Sequence, residues 1–155
     1  MDNAGTLDPD IDEHYRQRDE GSRLLSGSGR LELVRIRELL GRFLPKQPSV
    51  VLDVGGGTGI HALWLAREGY EVHLIDAHEP HVDAARAASE GQPEAPLATC
   101  EVGDARKISR PDGSADAVLM FGPLYHLTEH GERLAALREA RRVLAEGGLL
   151  LAMAI

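Results

Sequence analysis

The chain has 155 residues, 43% of them hydrophobic, and a formal net charge of −8 at pH 7. That length is enough for one domain with one real core. The acidic balance excludes a general nucleic-acid binder, which needs a basic face, and no segment approaches the ~18 consecutive apolar residues of a membrane span. A single cysteine, Cys100, allows no intramolecular disulfide and fits a reducing cytoplasm. It reads as a small buried apolar residue beside a strand rather than a nucleophile. The N-terminus, Met1-Asp2-Asn3, is acidic and lacks an apolar signal core.

Residues 1–29 are polar and turn-rich, ending in Ser26-Gly27-Ser28-Gly29, and read as a loosely held arm on which Tyr15 and Leu24-Leu25 could dock. From Arg30 to Leu44, Leu31, Val34, Ile36, Leu39-Leu40 and Phe43 recur at helical spacing until Pro45 stops the helix, which is expected to lie against the sheet. A first strand is expected over Ser49 to Val54, followed by a helix over Ile60 to Glu68. A second strand, Glu71 to Ile75, ends at Asp76, and a helix runs from about Pro80 to Ser89. Strand three covers Leu97 to Val102 and strand four Ala115 to Phe121. A helix from Glu132 to Ala145 is expected to stop at Gly147-Gly148, leaving Leu149 to Ile155 as strand five. Alternation of this kind predicts an α/β, Rossmann-like, mostly parallel sheet of about five strands with flanking helices. Ligands of such sheets bind beyond the C-terminal strand ends, at the switch in strand order.

The informative segment is Val51-Leu52-Asp53-Val54-Gly55-Gly56-Gly57-Thr58-Gly59, where a buried strand runs into a glycine turn and then a helix. Absence of Cβ at Gly55, Gly57 and Gly59 lets backbone approach a ligand and permits positive φ. A dinucleotide fingerprint would need a third glycine at Ile60, and the spacing here is GxGxG instead. Asp53 lies inside the strand, where its carboxylate would repel a pyrophosphate and favour a ligand carrying an ammonium and a sulfonium. Those details point to S-adenosylmethionine rather than NAD.

This segment resembles the first motif of the class I S-adenosylmethionine-dependent methyltransferases. The resemblance extends along most of the chain, with four motifs in the right order, and it identifies a small-molecule type. It implies that Asp76 accepts the ribose hydroxyls beside Ala77, while the alternative reading of Asp76 is a helix cap. It implies that Asp104 meets the adenine amino group and the Ala105 N–H meets the ring; a plain turn aspartate is the alternative. After strand four, Phe121-Gly122-Pro123-Leu124-Tyr125-His126-Leu127 replaces the Asn/Asp-Pro-Pro-aromatic motif of DNA and protein-amide methyltransferases, so that chemistry is not expected. Phe121 would border the cofactor there. His126 could take a proton from a hydroxyl or amine acceptor, or it could simply be satisfied by the following helix or by solvent. His14, His61, His73, His78, His81 and His130 show no metal-ligand spacing. The Leu-x-x-Gly-Gly run ending at Gly147-Gly148 is a structural mark of the family. The stretch around Tyr15, Arg23 and Gly29-Arg30-Leu31-Glu32 resembles an arm that covers the cofactor.

Members of the family usually have seven strands, the last two forming an antiparallel hairpin. The expectation for this sequence is therefore a domain over residues 30–155, shortened after strand five, with an apolar strand-five edge open to self-association. Three readings follow. The first is methyl transfer to a small-molecule acceptor by in-line displacement. The second is a non-catalytic cofactor-binding or self-associating domain. The third, a nicotinamide oxidoreductase, wants a tyrosine-lysine relay, and neither Lys46 nor Lys107 has a suitable tyrosine near it in sequence.

Overall fold

The computed structural model describes residues 27–153. The chain divides into two compact units, one ending at Leu44 and the other running from Pro45. The expected N-terminal arm, with Tyr15, Arg23, Leu24 and Leu25, lies outside the described residues apart from its last few positions. In the first unit a helix, α1 (Gly27–Phe43), buries Gly29, Leu33, Ile36 and Leu40 on one face at helical spacing. It starts ahead of the expected Arg30. Leu31, Val34 and Phe43, read as core positions from periodicity, are exposed, because the buried stripe is narrower than the apolar one.

The second unit contains β1 (Val50–Val54), α2 (Ile60–Arg67), β2 (Glu71–Asp76), α3 (Glu79–Glu90), β3 (Thr99–Val102), β4 (Ala115–Met120), the short α4 (Pro123–His126), α5 (His130–Val143) and β5 (Leu144–Ala152). The strands form one five-stranded sheet in the order β3-β2-β1-β4-β5. All four pairings are parallel. The order reverses between β1 and β4, so the strand-end crevice lies where Gly55 follows β1 and Phe121 follows β4.

Paired parallel strands put opposite residues on the same face. Leu52 lies opposite Val118, and Val54 opposite Ile75. These side chains pack with Met120, Ile108, Ala136, Ala140 and Val143 into one buried cluster beneath α5. Small alanines at 136 and 140 let the helix settle close to that sheet face. The opposite set, Val51, Asp53, Leu74 and Leu119, is also buried. Near-continuous apolar strands are what a sheet covered on both faces requires. A polar strap reinforces the α5 side. Arg142 donates to the carbonyls of Ile108 and Arg110 and pairs with Glu139 and Asp112. Glu139 in turn accepts the Ile108 N–H at 2.7 Å. The Arg142 bonds, with that N–H, hold the Glu139 carboxyl below its usual range.

The end of α5 corrects the sequence reading. The helix stops at Val143, Leu144 is already extended, and β5 begins there rather than at Leu149. Leu144 pairs with Ala115, the register shifts between Ala115 and Ala117, and the ladder resumes at Leu149 opposite Ala117. Gly147 and Gly148 thus lie within an irregular stretch of the strand, with Gly147 at φ 75°. They do not cap the helix. The expected last two residues of strand five lie outside the described residues. A Cβ on Gly148 would stand 2.9 Å from the Ala145 carbonyl oxygen and 3.1 Å from that of Asp116. Gly148→Ala should therefore lower stability by ~1–3 kcal/mol through overpacking against backbone, read as a shifted urea midpoint. An unshifted midpoint would show that β5 is not held this closely to β4.

Candidate functional site

The glycine turn after β1 is built by backbone bonds to β2. The N–H groups of Gly55 and Gly56 both reach the Ile75 carbonyl, at 2.7 and 3.3 Å, and Gly59 N–H bonds the Gly56 carbonyl at 3.0 Å. Gly55, Gly57 and Gly59 all have positive φ, at 73, 56 and 87°. Space decides two of the positions. A Cβ on Gly55 would lie 2.5 Å from Cδ of Pro123, so the turn after β1 and the start of α4 interlock. A Cβ on Gly57 would meet nothing within 4 Å, so the backbone there borders open space.

Asp76 anchors the turn from the neighbouring strand. One carboxylate oxygen accepts the Gly57 N–H at 2.8 Å, and the other accepts the His78 N–H at 2.9 Å. His81 Nδ1 stands 3.3 Å from that second oxygen, and its ring meets His78 edge-on at 4.6 Å between centroids. Asp76 is 8% exposed. Each oxygen keeps further lone-pair capacity, so a vicinal diol could be taken by the same group. The helix-cap alternative describes the second contact only in part: the formal cap of α3 is His78, which makes no side-chain cap bond. Ala77 lies between Asp76 and His78 in the chain.

Asp53 is 2% exposed and lies directly under the turn; its Oδ2 would be 2.8 Å from a Cβ on Gly56. That oxygen has no hydrogen-bond partner among the described residues. Burial, with the charge of Asp76 added, pushes the Asp53 carboxyl up to about 7. Two acids on one face of the sheet, one of them orphaned, make an environment that gains from a cation.

At the end of β3, Gly103 N–H bonds the Asp76 carbonyl at 3.0 Å, bringing Asp104 and Ala105 beside β2. Arg106 forks onto both oxygens of Asp104. Burial alone would raise the Asp104 carboxyl, but the Arg106 bonds and charge outweigh it and hold it below the usual range. Phe121, beyond β4, packs edge-on against buried His61 of α2 at 5.5 Å. His126 is the last residue of α4 and half-buried. Beside it a cavity of about 490 Å³ is bordered by Leu124, Tyr125, Leu127, Arg133, Leu134 and Leu137. His126 is not part of that lining.

The structure thus gathers Asp53, Gly55, Gly57, Gly59, Asp76 and Ala77 around one turn, with Asp104 and Ala105 on the adjoining strand end. Sequence reasoning missed His78 and His81 at Asp76, whose spacing was weighed only for metal binding. It also missed Arg106, whose partners lie on β3's loop and on α5.

Residues 51–148 match the family model described as a methyltransferase domain. The chain belongs to the class I S-adenosylmethionine-dependent methyltransferase family. It is 33% identical over 123 residues to the ubiquinone/menaquinone biosynthesis C-methyltransferase UbiE of Caulobacter vibrioides, an alignment covering 72% of this chain and 46% of that one. The chain therefore spans about half the length of such a relative. Its fold superposes on the PH0226 protein of Pyrococcus horikoshii OT3 with a TM-score of 0.79 and 29% identity, covering 90% of this chain and 64% of that one. A SAM-dependent methyltransferase from Methanosarcina mazei gives a TM-score of 0.64 at 29% identity, over 72% and 55% of the two chains. The expected fold class and family hold. Membership implies S-adenosylmethionine as cofactor. No helix among the described residues is long and apolar enough to cross a membrane.

Asp53 supplies a pH test. Its folded value of about 7 exceeds the ordinary 3.8. The folded chain therefore holds a proton that the unfolded chain releases between those values. The stability this gives is fully present below pH ~4 and is lost as pH rises through ~7. Asp53→Asn should flatten the fall in thermal midpoint between pH 5 and pH 8. An unaltered slope would mean that Asp53 is ionised at neutral pH in the folded chain.

Proposed function

We propose that the turn after β1 and the adjoining ends of β2, β3 and β4 bind S-adenosylmethionine, and that the protein transfers its methyl group to a small-molecule acceptor. The observation that carries this reading is the orphaned Asp53 oxygen under a glycine turn whose Gly57 faces open space. A buried acid there disfavours a pyrophosphate and suits a ligand with positive charge. The fit extends along the strand ends. Gly55, Gly57 and Gly59 offer backbone to the methionine part, and Asp53 balances its charge through the turn. Asp76, with Ala77, takes the ribose hydroxyls. Asp104 accepts from the adenine amino group, Ala105 N–H meets the ring, and Phe121 walls the cofactor near its methyl end.

When bound, the cofactor supplies an electrophilic methyl group on a positive sulfonium. The residues of this chain then have a positioning task, holding the acceptor in line and excluding water. The cavity between α4 and α5, with its leucine walls, Tyr125 and Arg133, supports a small, largely apolar acceptor. His126, at the end of α4 and next to this cavity in the chain although outside its lining, is the candidate to take the acceptor's proton. The Caulobacter relative is by name a carbon methyltransferase, which supports an acceptor of that chemical kind. The single cysteine, which can form no intramolecular disulfide, fits a reducing, cytoplasmic setting.

Calorimetric titration of the 155-residue chain with S-adenosylhomocysteine, with NAD as control, tests the assignment. Micromolar binding of the former alone is expected. Asp76→Ala should weaken it by ~1.5–3 kcal/mol, the cost of losing a charged hydrogen-bonding group, whereas His126→Ala should leave it unchanged. Equal affinity in a folded Asp76→Ala protein would remove Asp76 from the site.

A further inference from the structure

The loop after β3 carries a network whose purpose the cofactor assignment leaves unexplained. Arg106 Nε lies 3.0 Å from each oxygen of Asp104, and Nη2 lies 2.6 Å from Oδ2. The Arg106 backbone N–H adds a bond of 2.8 Å to Oδ1. The remaining arm, Nη1, pairs with Glu132 in the first turn of α5. That helix is fixed by Ala136, Ala140 and Val143 in the buried cluster. A carboxylate on an edge-strand loop is in this way tied to a core helix through one planar group. The fork sets the plane of the carboxylate as well as its position.

A carboxylate locked in this manner has a chemical consequence. Nε shares its single hydrogen between the two oxygens, so Arg106 brings three hydrogens to the carboxylate's roughly four lone-pair sites. The capacity that remains can only accept: it attracts an amino group and repels a carbonyl oxygen. With its Arg106 partners in place Asp104 stays ionised, because their bonds and charge outweigh the effect of burial. The side chain of Asp104 is 29% exposed, so an unforked carboxylate could turn toward water and lose its aim.

We propose that Arg106 is a positioning residue that makes the nucleobase end of the site selective for a ring carrying an amino group over one carrying a carbonyl oxygen. The proposal rests on the assignment of Asp104 to the adenine amino group. Arg106 acts through Asp104 and through its anchor on Glu132. Lysine at this position would keep the charge without the two-point fork.

The test is the ratio of affinities for S-adenosylhomocysteine and S-inosylhomocysteine, measured by calorimetry on the wild-type chain, Arg106→Met and Arg106→Lys. The wild type should prefer the adenine form by on the order of tenfold to a hundredfold, as expected for an unmatched polar contact. Arg106→Met should bring the ratio close to one, and Arg106→Lys should fall between. A general structural role would weaken both ligands alike and leave the ratio intact. A wild-type ratio retained in folded Arg106→Met overturns the proposal alone. Should that variant not fold, a wild-type ratio in Arg106→Lys overturns it equally. No preference in the wild type, with S-adenosylhomocysteine still bound, removes Asp104 from the base and the role of Arg106 with it, while leaving the cofactor class standing.

Discussion

The bonds from Gly57 and His78 N–H to the two oxygens of Asp76 set the geometry of everything at the top of the sheet. They connect the turn after β1 to the start of α3 through the end of β2. Because β2 lies between β1 and β3, the same residue also reaches the next strand end, where its carbonyl takes the Gly103 N–H. Three loops therefore share one acid. On the other side, Gly55 and Pro123 are so close that no side chain fits between them, which adds the loop after β4. These ties converge at the switch in strand order, where an open parallel sheet leaves a crevice.

The cost of this arrangement is electrostatic. Asp53 and Asp76 are both buried and lie on the same face of the sheet, Asp53 opposite Leu74 and Asp76 two positions further along β2. Asp76 spreads its charge over two backbone donors, but Asp53 has one oxygen with no partner and pushes its proton affinity up to neutral pH. A core optimised for stability alone would carry a neutral or apolar side chain at position 53. Perturbed acids of this kind concentrate where a ligand is meant to complete them. The acid at the next strand end is treated differently, since Asp104 is compensated by Arg106 within the protein. The two ends of the crevice thus offer different surroundings, an uncompensated acid under the glycines and a neutralised, rigid one at β3.

What was legible in the sequence follows the range of the interactions. Asp53, the glycines and Asp76 are near in sequence or fixed by the period of strand and turn, and the fold class could be read from alternation alone. The stop of α5 was misplaced because Gly147-Gly148 looks like a helix terminator, whereas pairing of Leu144 with Ala115 ends the helix earlier. That pairing joins distant residues, and no local signal announces it. Arg106 was unreadable for a related reason: an arginine in a polar loop is ordinary until Glu132 is brought to it by the packing of α5. His78 and His81 were visible as a pair, but only the strand end supplies the carboxylate that gives them a place.

The same distinction separates the two halves of the proposed reaction. A cofactor cradled by backbone needs particular φ values and missing Cβ atoms, which leave glycines that can be counted. On the proposed reading an acceptor would be held by side chains on α4 and α5, where Leu124, Tyr125, Arg133 and Leu137 have no spacing that differs from ordinary amphipathic helix. One fold can host many functions, because the chemistry lives in sites grafted onto it. In this chain the wall of α4 begins at Pro123, which interlocks with Gly55 of the turn. A change that shifts α4 to admit another acceptor would therefore press on the glycine turn as well. On the proposed reading, acceptor specificity would be more freely altered on the α5 side, through Leu134 and Leu137, than at the start of α4.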